Sequence, residues 1–554
     1  MGPATPPAAG PGPQPGPRSV FTKGLADSRG ALALVTVFLV AFVFVGSIAV
    51  REAFGTAETR RQMADLARLL PSVFQSMLGR PVGLETLGGI IEWRYYAVLF
   101  LLLPIWPIVA LSGTLAGEAG RGSLDLLVAA GVSRRRIATQ KLAAHLAGVA
   151  ITMVVLAAIL WLAGLAYATL PGDEIGVGAA LGYAVLTAVM MLIPGSIAWA
   201  AAPIVGRTPA AGLAVLAMLT AYLANAFRDT FPAFDAIAPV SWFAWTADHL
   251  PLAGHDDWPS LALPALVIVA LLIVGLLAFE RSDIGATIRL PSPHLPGALL
   301  GLHGPLGRGL SARVGIASVW GVGVGVYVML VVGTASDLVR LIQAAPMLDQ
   351  MMRLVYPDID YASAGGLLQL IFIEFGLIVF GFAAATIVSG WASDEASGRL
   401  EELLATPISR IWWFVRSGLG TYLAIVLAAA IVAVGVGLAA QGGGGDVLAP
   451  VAGAFVLALY GCALAGVGFA VAGLFRSSLA APVVAGLTIA TFLDTLFARP
   501  LRLPDWVTGL ALSTHYGQPM VGQWDPVGVA VSAILATGGL IAGAWGFSGR
   551  DVRT

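Results

Sequence analysis

Charge is scarce in this chain. Of 554 residues only 11% are Asp, Glu, Lys or Arg, against about 25% in a soluble domain. Lysine is almost missing: of 30 basic residues only Lys23 and Lys141 are not arginine. That shortage removes one kind of chemistry. A phosphate-cradling Gly-x-x-x-x-Gly-Lys-Ser/Thr loop needs a glycine directly before its lysine. Lys23 follows Thr22 and Lys141 follows Gln140, so nucleotide hydrolysis through such a loop is excluded, and no bound cofactor is expected. The single cysteine, Cys462, excludes a disulfide framework. A net charge of -1 leaves no basic excess for nucleic acid.

What is present is apolar length. The chain is 58% hydrophobic, with a mean hydropathy of +0.88. About 20 apolar residues cross a bilayer as a helix, and that rule predicts an all-α polytopic membrane protein. Its twelve spans fall near 31–50, 89–114, 142–169, 177–202, 209–226, 261–279, 314–334, 365–391, 418–440, 448–474, 479–493 and 526–547. Residues 1–18, rich in Pro, Gly and Ala, read as a disordered tail. Residues 19–29 suit a short interfacial helix. The first apolar run is too long for a cleavable signal, and no cleavage site follows it. With the N-terminus inside, the inner segments hold 19 of the 30 basic residues and 10 acids, while the outer segments hold 11 basic residues and 20 acids. The excess of arginine and lysine puts both termini in the cytoplasm of a plasma-membrane protein.

One stretch occurs twice. Gly117–Lys141 and Asp394–Ser417 each follow one apolar run and precede another. Glu118 matches Glu395, Ala119 matches Ala396, Gly122 matches Gly398 and Leu124 matches Leu400. Ser133-Arg134 matches Ser409-Arg410. The likeness extends outward. Gly88-Gly89-Ile90-Ile91 aligns with Gly365-Gly366-Leu367-Leu368, and 279–284 (FERSDI) with 547–552 (FSGRDV). The expected architecture is two parallel six-helix repeats, 19–284 and 313–554, joined by a cytoplasmic linker at 285–312.

Candidate sites are few. Glu374 is the one clear acid at membrane depth, and Glu92 and Arg94 open span 2. They read either as groups lining a substrate path or gate, or as a structural ion pair or a protonated acid. His249, His255, Asp256 and Asp257 read better as a solvated loop than as a metal site. Glu52, Glu58 and Asp65 share the first outer loop with Arg51, Arg60, Arg61 and Arg68, the pattern of a polar helix face rather than of the carboxylates of a membrane glycosyltransferase. Apolar residues at helical spacing, Met63 to Met77 and Leu338 to Met352, predict amphipathic outer helices. Bends are expected at Pro104, Pro107 and Pro194.

The repeated stretch has the form of a short amphipathic helix able to enter a groove on a soluble partner. Glu395 to Arg410, E-A-S-G-R-L-E-E-L-L-A-T-P-I-S-R, resembles the cytoplasmic loop between the second and third spans of ABC type-2 exporter permeases. The whole chain is similar to the tetronasin-resistance type of actinobacterial multidrug exporter permease. That resemblance implies efflux of drugs, antibiotics or lipids, with two copies of a separate ATPase holding the ATP and magnesium. It also implies coupling through Glu118, Arg121, Leu124 and Asp125 in the first copy and Glu395, Arg399, Leu400, Glu401 and Glu402 in the second. The two leucines, the leading glutamates and the Ser-Arg pairs are the shared elements, and the leucines are expected to supply the common buried contact with the ATPase. A proton-coupled facilitator also has twelve spans in parallel halves. Its G-x-x-x-D-R-x-G-R-R loop fits 113–122 less well, since Gly117 and Glu118 stand in place of Asp-Arg. A membrane enzyme or a scaffold is the remaining reading.

Overall fold

The computed structural model describes residues 19–70, 72–119, 124, 128–129, 131–282, 288, 304–333, 364–396, 398–442, 446–497 and 503–551. Among these, eleven helices are long and apolar enough to cross a membrane, and a bent pair, Leu87–Tyr95 with Val98–Thr114, makes a twelfth when taken as one span. The chain divides into two compact units, 1–68 with 72–290, and 69–71 with 291–554.

The first unit begins with α1 (Val20–Ala53). The separate interfacial helix expected at 19–29 is instead the first three turns of this helix. Ser19 caps it, with its side chain accepting from Thr22 N and the Thr22 hydroxyl closing the reciprocal bond. Its 34 residues extend about 51 Å, well beyond the roughly 30 Å of a hydrocarbon core. Two short helices follow, α2 (Ala57–Leu69) and α3 (Ser72–Leu78). They bury Met63, Ala64, Ala67, Val73 and Met77 on one stripe, as the apolar spacing predicts. The corresponding 338–352 stretch lies outside the described residues. The second span is interrupted at Pro104 between α4 (Leu87–Leu102) and α5 (Ile105–Thr114), where proline has no N–H to continue the ladder. α6 (Arg134–Tyr167), α7 (Val177–Val205), α8 (Arg207–Phe227) and α9 (Ala262–Arg281) complete the unit. α7 runs unbroken past both Pro194 and Pro203.

The second unit holds α10 (Pro305–Gly333), α11 (Ala364–Ala396), the six-residue α12 (Arg399–Leu404), α13 (Arg410–Gly442), α14 (Val456–Leu474), α15 (Ala480–Phe497) and α16 (Pro526–Gly549). Its neighbour pattern is the same as in the first unit. α1 packs on α6 and α9 on α7, as α10 packs on α13 and α16 on α14. Small residues permit the closest of these approaches. A Cβ on Gly473 would lie 1.9 Å from the Gly543 carbonyl oxygen, and one on Gly435 would lie 2.7 Å from that of Gly325. Helix pairs in a membrane associate through such backbone contact, because lipid tails are as apolar as leucine.

One turn between spans has the same latch in each unit. The register that pairs Gly88 with Gly365 pairs Glu92 with Gln369. Glu92 Oε2 accepts from Ala253 N at 2.9 Å, and Gln369 Oε1 accepts from Met520 N at 3.1 Å. Each donating turn is a one-turn 3₁₀ helix that ends on a left-handed glycine, Gly254 or Gly522, a conformation that costs glycine nothing.

The first unit carries a further tie that sequence spacing hides. Arg60 and the Asp173 carboxylate form an ion pair whose side chains are 1% and 0% exposed. Arg60 also donates to the carbonyls of Phe54 and Glu85. Asp173 accepts from the backbone N–H groups of Leu87, Thr169 and Leu170. Arg60 is therefore not on the polar helix face predicted for it; it joins α2 to the loops at 85–87 and 169–173. Burial alone would raise the Asp173 pKa, but Arg60 and the three N–H donors outweigh it and hold the carboxyl down at about 2.

Candidate functional site: the repeated charged segments

Each segment is built on the end of one apolar helix and the start of another. In the second unit α11 carries Asp394 and Glu395 on its last turns. Gly398 then reverses the chain at φ 73°, a left-handed conformation that a side chain would resist. α12 follows. Leu400, 1% exposed, belongs to the apolar core of the unit, and Leu403, Leu404 and Ile408 pack against that core. Residues three and four apart on a helix share a face, so this stripe fixes the rotation of α12. Arg399, Glu401 and Glu402 are left exposed. Beneath lies an aromatic floor. Trp391 stacks on Trp413 at 5.9 Å and meets Phe414 and Phe469 edge-on, and Phe547 packs on Trp413 and Phe414. The Trp391 indole N–H donates to Ser417 Oγ at 2.9 Å. The first unit has Thr114, Ile137 and Ala138 at the matching positions of Trp391, Trp413 and Phe414 and lacks this floor.

The residues common to both segments are engaged inside their own unit. Lys141 Nζ lies 2.5 Å from Glu118 Oε1, and Arg550 Nη2 lies 2.6 Å from Glu395 Oε2. Leu124 is 0% exposed and Leu400 1%. Ser133 caps α6 through Arg136 N, and Ser409 accepts from Trp412 N. Arg134 Nη1 donates to the Ser282 carbonyl at 2.7 Å, and Arg410 Nη1 donates to the Arg550 carbonyl at 2.7 Å. The FERSDI/FSGRDV alignment places Ser282 opposite Arg550, so the two bonds occupy equivalent positions.

The leucines were expected to supply the buried contact common to both docking sites. The leucines are buried in the chain itself and the leading glutamates and arginines are bonded there, while Ser133, Ser409 and Arg410 stay exposed; among the described residues the exposed surface also includes charged residues that differ between the segments. Those are Arg399, Glu401 and Glu402 in the second unit, and Arg135 and Arg136 in the first. Arg121 and Asp125 lie outside the described residues. Lys141, Arg410 and Arg550 were not among the expected site residues. The signal for them was present: Lys141 borders an apolar span, and the span-end likeness already marked Arg550.

The groups expected along a substrate path fall in both units. Glu92 is 2% exposed and works as the latch to Ala253. Arg94 is exposed on the first unit. Glu374 sits on α11 in the second unit, and its side chain lies outside the described residues. The loop before α9 is not wholly solvated, because His249 is 0% exposed and its Nδ1 accepts from Asp257 N at 3.0 Å. Burial lowers the His249 pKa, and the carboxylates of Asp256 and Asp257 act against that shift. Among the described residues no three His, Cys, Asp or Glu side chains are placed to hold a metal ion.

The fold defines a polytopic α-helical membrane protein with charged segments at its span ends. Residues 302–548 match the family model for the C-terminal domain of the multidrug efflux system permease Rv1217c. The match covers the second unit from α10 to α16 and supports a membrane permease of the drug-efflux type, rather than an enzyme. No curated protein gives a significant match to the chain.

Proposed function

We propose that the chain is the permease subunit of an ATP-driven ABC exporter. In this reading two fused six-span halves move amphipathic drugs, antibiotics or lipids out across the plasma membrane, and two copies of a separate cytoplasmic ATPase supply the work. The observation that carries the reading is α12. It is a short helix with a buried leucine stripe, an aromatic floor and an exposed acidic face, and it lies within the residues that match a drug-efflux permease. A helix seated so firmly presents its charges in one fixed orientation, which is what a groove on a partner needs. The grip then rests on Arg399, Glu401 and Glu402 in the second unit and on Arg135 and Arg136 in the first. Two identical ATPases would meet surfaces of unlike sign. Glu374 is proposed to line the substrate path or gate.

The test is co-purification with the soluble ATPase encoded beside it. The chain alone should hydrolyse no ATP, and the complex should have the native mass of one permease and two ATPases. Two permeases per ATPase pair, or efflux that persists in ATP-depleted vesicles, would overturn the proposal.

A further inference from the structure

Behind α12 the second unit encloses a cavity of about 250 Å³. Its lining includes Arg308 and Arg313 from α10, Asp394 from α11, and Leu403, Ile408 and Trp413 on the apolar side. Arg313 is 2% exposed. Its Nη1 donates to the Gly309 carbonyl at 2.6 Å, and its Nη2 reaches Asp394 only at 3.5 Å. Nε, buried, has no hydrogen-bond partner. A buried guanidinium with an unused donor is costly unless something accepts from it. The cavity therefore holds two guanidinium groups and one carboxylate, and one donor is unsatisfied.

Its depth is informative. From Val314 to Gly333 on α10, and from Ser417 to Gly442 on α13, no residue is charged. Arg313 and Arg416 are thus the last charges before the apolar stretch begins, the level at which lipid phosphates lie. Arg416 stacks there on Trp412, its guanidinium carbon 3.8 Å from the ring centre. A ligand at this site needs a negative, fork-accepting group for the arginines and an apolar part for Leu403, Ile408 and Trp413.

We propose that this cavity binds the phosphate of an anionic phospholipid headgroup. Arg313 keeps one donor, Nε, unpartnered, and Arg308 adds a second guanidinium to the lining, so the two together suit phosphate oxygens, and basic pockets between spans are the usual form of headgroup site. Leu403 and Ile408 flank the ligand, so its occupancy fixes α12 against α10. The proposal concerns the second unit alone and does not rest on the ATPase reading.

The test uses the full chain in nanodiscs of phosphatidylcholine with or without phosphatidylglycerol, and reads retained lipid by native mass spectrometry. The wild type should retain phosphatidylglycerol in preference to phosphatidylcholine. Arg308→Ala, on an exposed side chain, and Arg313→Lys, which keeps the charge but loses the fork, should each reduce retention about tenfold. The Arg308→Ala protein should melt at the wild-type temperature, so its result stands even where Arg313→Lys fails to fold. Millimolar inorganic phosphate should leave the lipid in place. Undiminished retention by Arg308→Ala would overturn the proposal, and so would displacement by inorganic phosphate, which would mark a free-anion site.

Discussion

Leu400 and the glutamates beside it should fail in different ways when removed. Leu400 is 1% exposed in the core of the second unit. Truncating such a leucine to alanine costs about 2–5 kcal/mol, the lost packing plus the cavity left behind. For a unit of this size that corresponds to a fall of roughly 4–10 °C in apparent melting temperature. Glu401 and Glu402 are exposed, and surface changes of this kind lie within about 0.5 kcal/mol. Glu401→Ala with Glu402→Ala should therefore leave the melting temperature unchanged. If these acids grip the ATPase, two exposed ion pairs at up to about 1 kcal/mol each weaken docking by on the order of tenfold. The assay is paired: thermal unfolding of the purified permease in detergent, and titration of the ATPase against it. The reasoning is refuted if Leu400→Ala melts like the wild type while losing the ATPase. It is refuted equally if the double glutamate variant binds the ATPase with full affinity.

Two further outcomes follow from other parts of the fold. Asp173→Asn should lower the melting temperature of the chain by more than any exposed carboxylate change, since breaking a buried pair costs about 3–5 kcal/mol. The Asp173 pKa is depressed to about 2, so the stability it contributes is complete above the ordinary carboxylate range of about 4 and is lost as pH falls toward 2. A wild-type melting temperature that is flat across that interval would contradict the tie. Glu374→Gln should change drug efflux, or drug-stimulated ATPase activity, in an assembled complex. Normal transport by that variant would remove Glu374 from the path.

The spans were legible because apolar length is a local property. Each predicted span coincides with a helix or with a broken one, interrupted at Leu103–Pro104 in the second span and at Ala454–Phe455 in the tenth. Side-chain roles were less legible, for two physical reasons. Arg60 and Asp173 lie 113 residues apart in the chain, and on a helical wheel an arginine counts as polar surface whatever it meets. The second reason concerns the repeated segment. Residues alike in both copies read most naturally as the contact for a common partner. Glu118 and Glu395, Leu124 and Leu400, and Arg134 and Arg410 instead meet the same internal need, that of seating a loop between two spans. Arg399, Glu401 and Glu402 in one copy and Arg135 and Arg136 in the other are exposed and differ. The aromatic floor under α12 was hidden as well, because Trp391, Trp413 and Phe547 are each unremarked residues in apolar runs until the helices bring them together.

Arg550 gives the second unit a mechanical property that the first does not have. Its side chain holds Glu395 at the end of α11, and its carbonyl holds Arg410 at the start of α13. Both ends of the segment that contains α12 are thus pinned to a single residue at the foot of α16. A load on α12 has no slack to take up and arrives at the last helix of the unit as a rotation about that pin. In the first unit the corresponding contacts among the described residues go to two different residues, Glu118 to Lys141 and Arg134 to the Ser282 carbonyl.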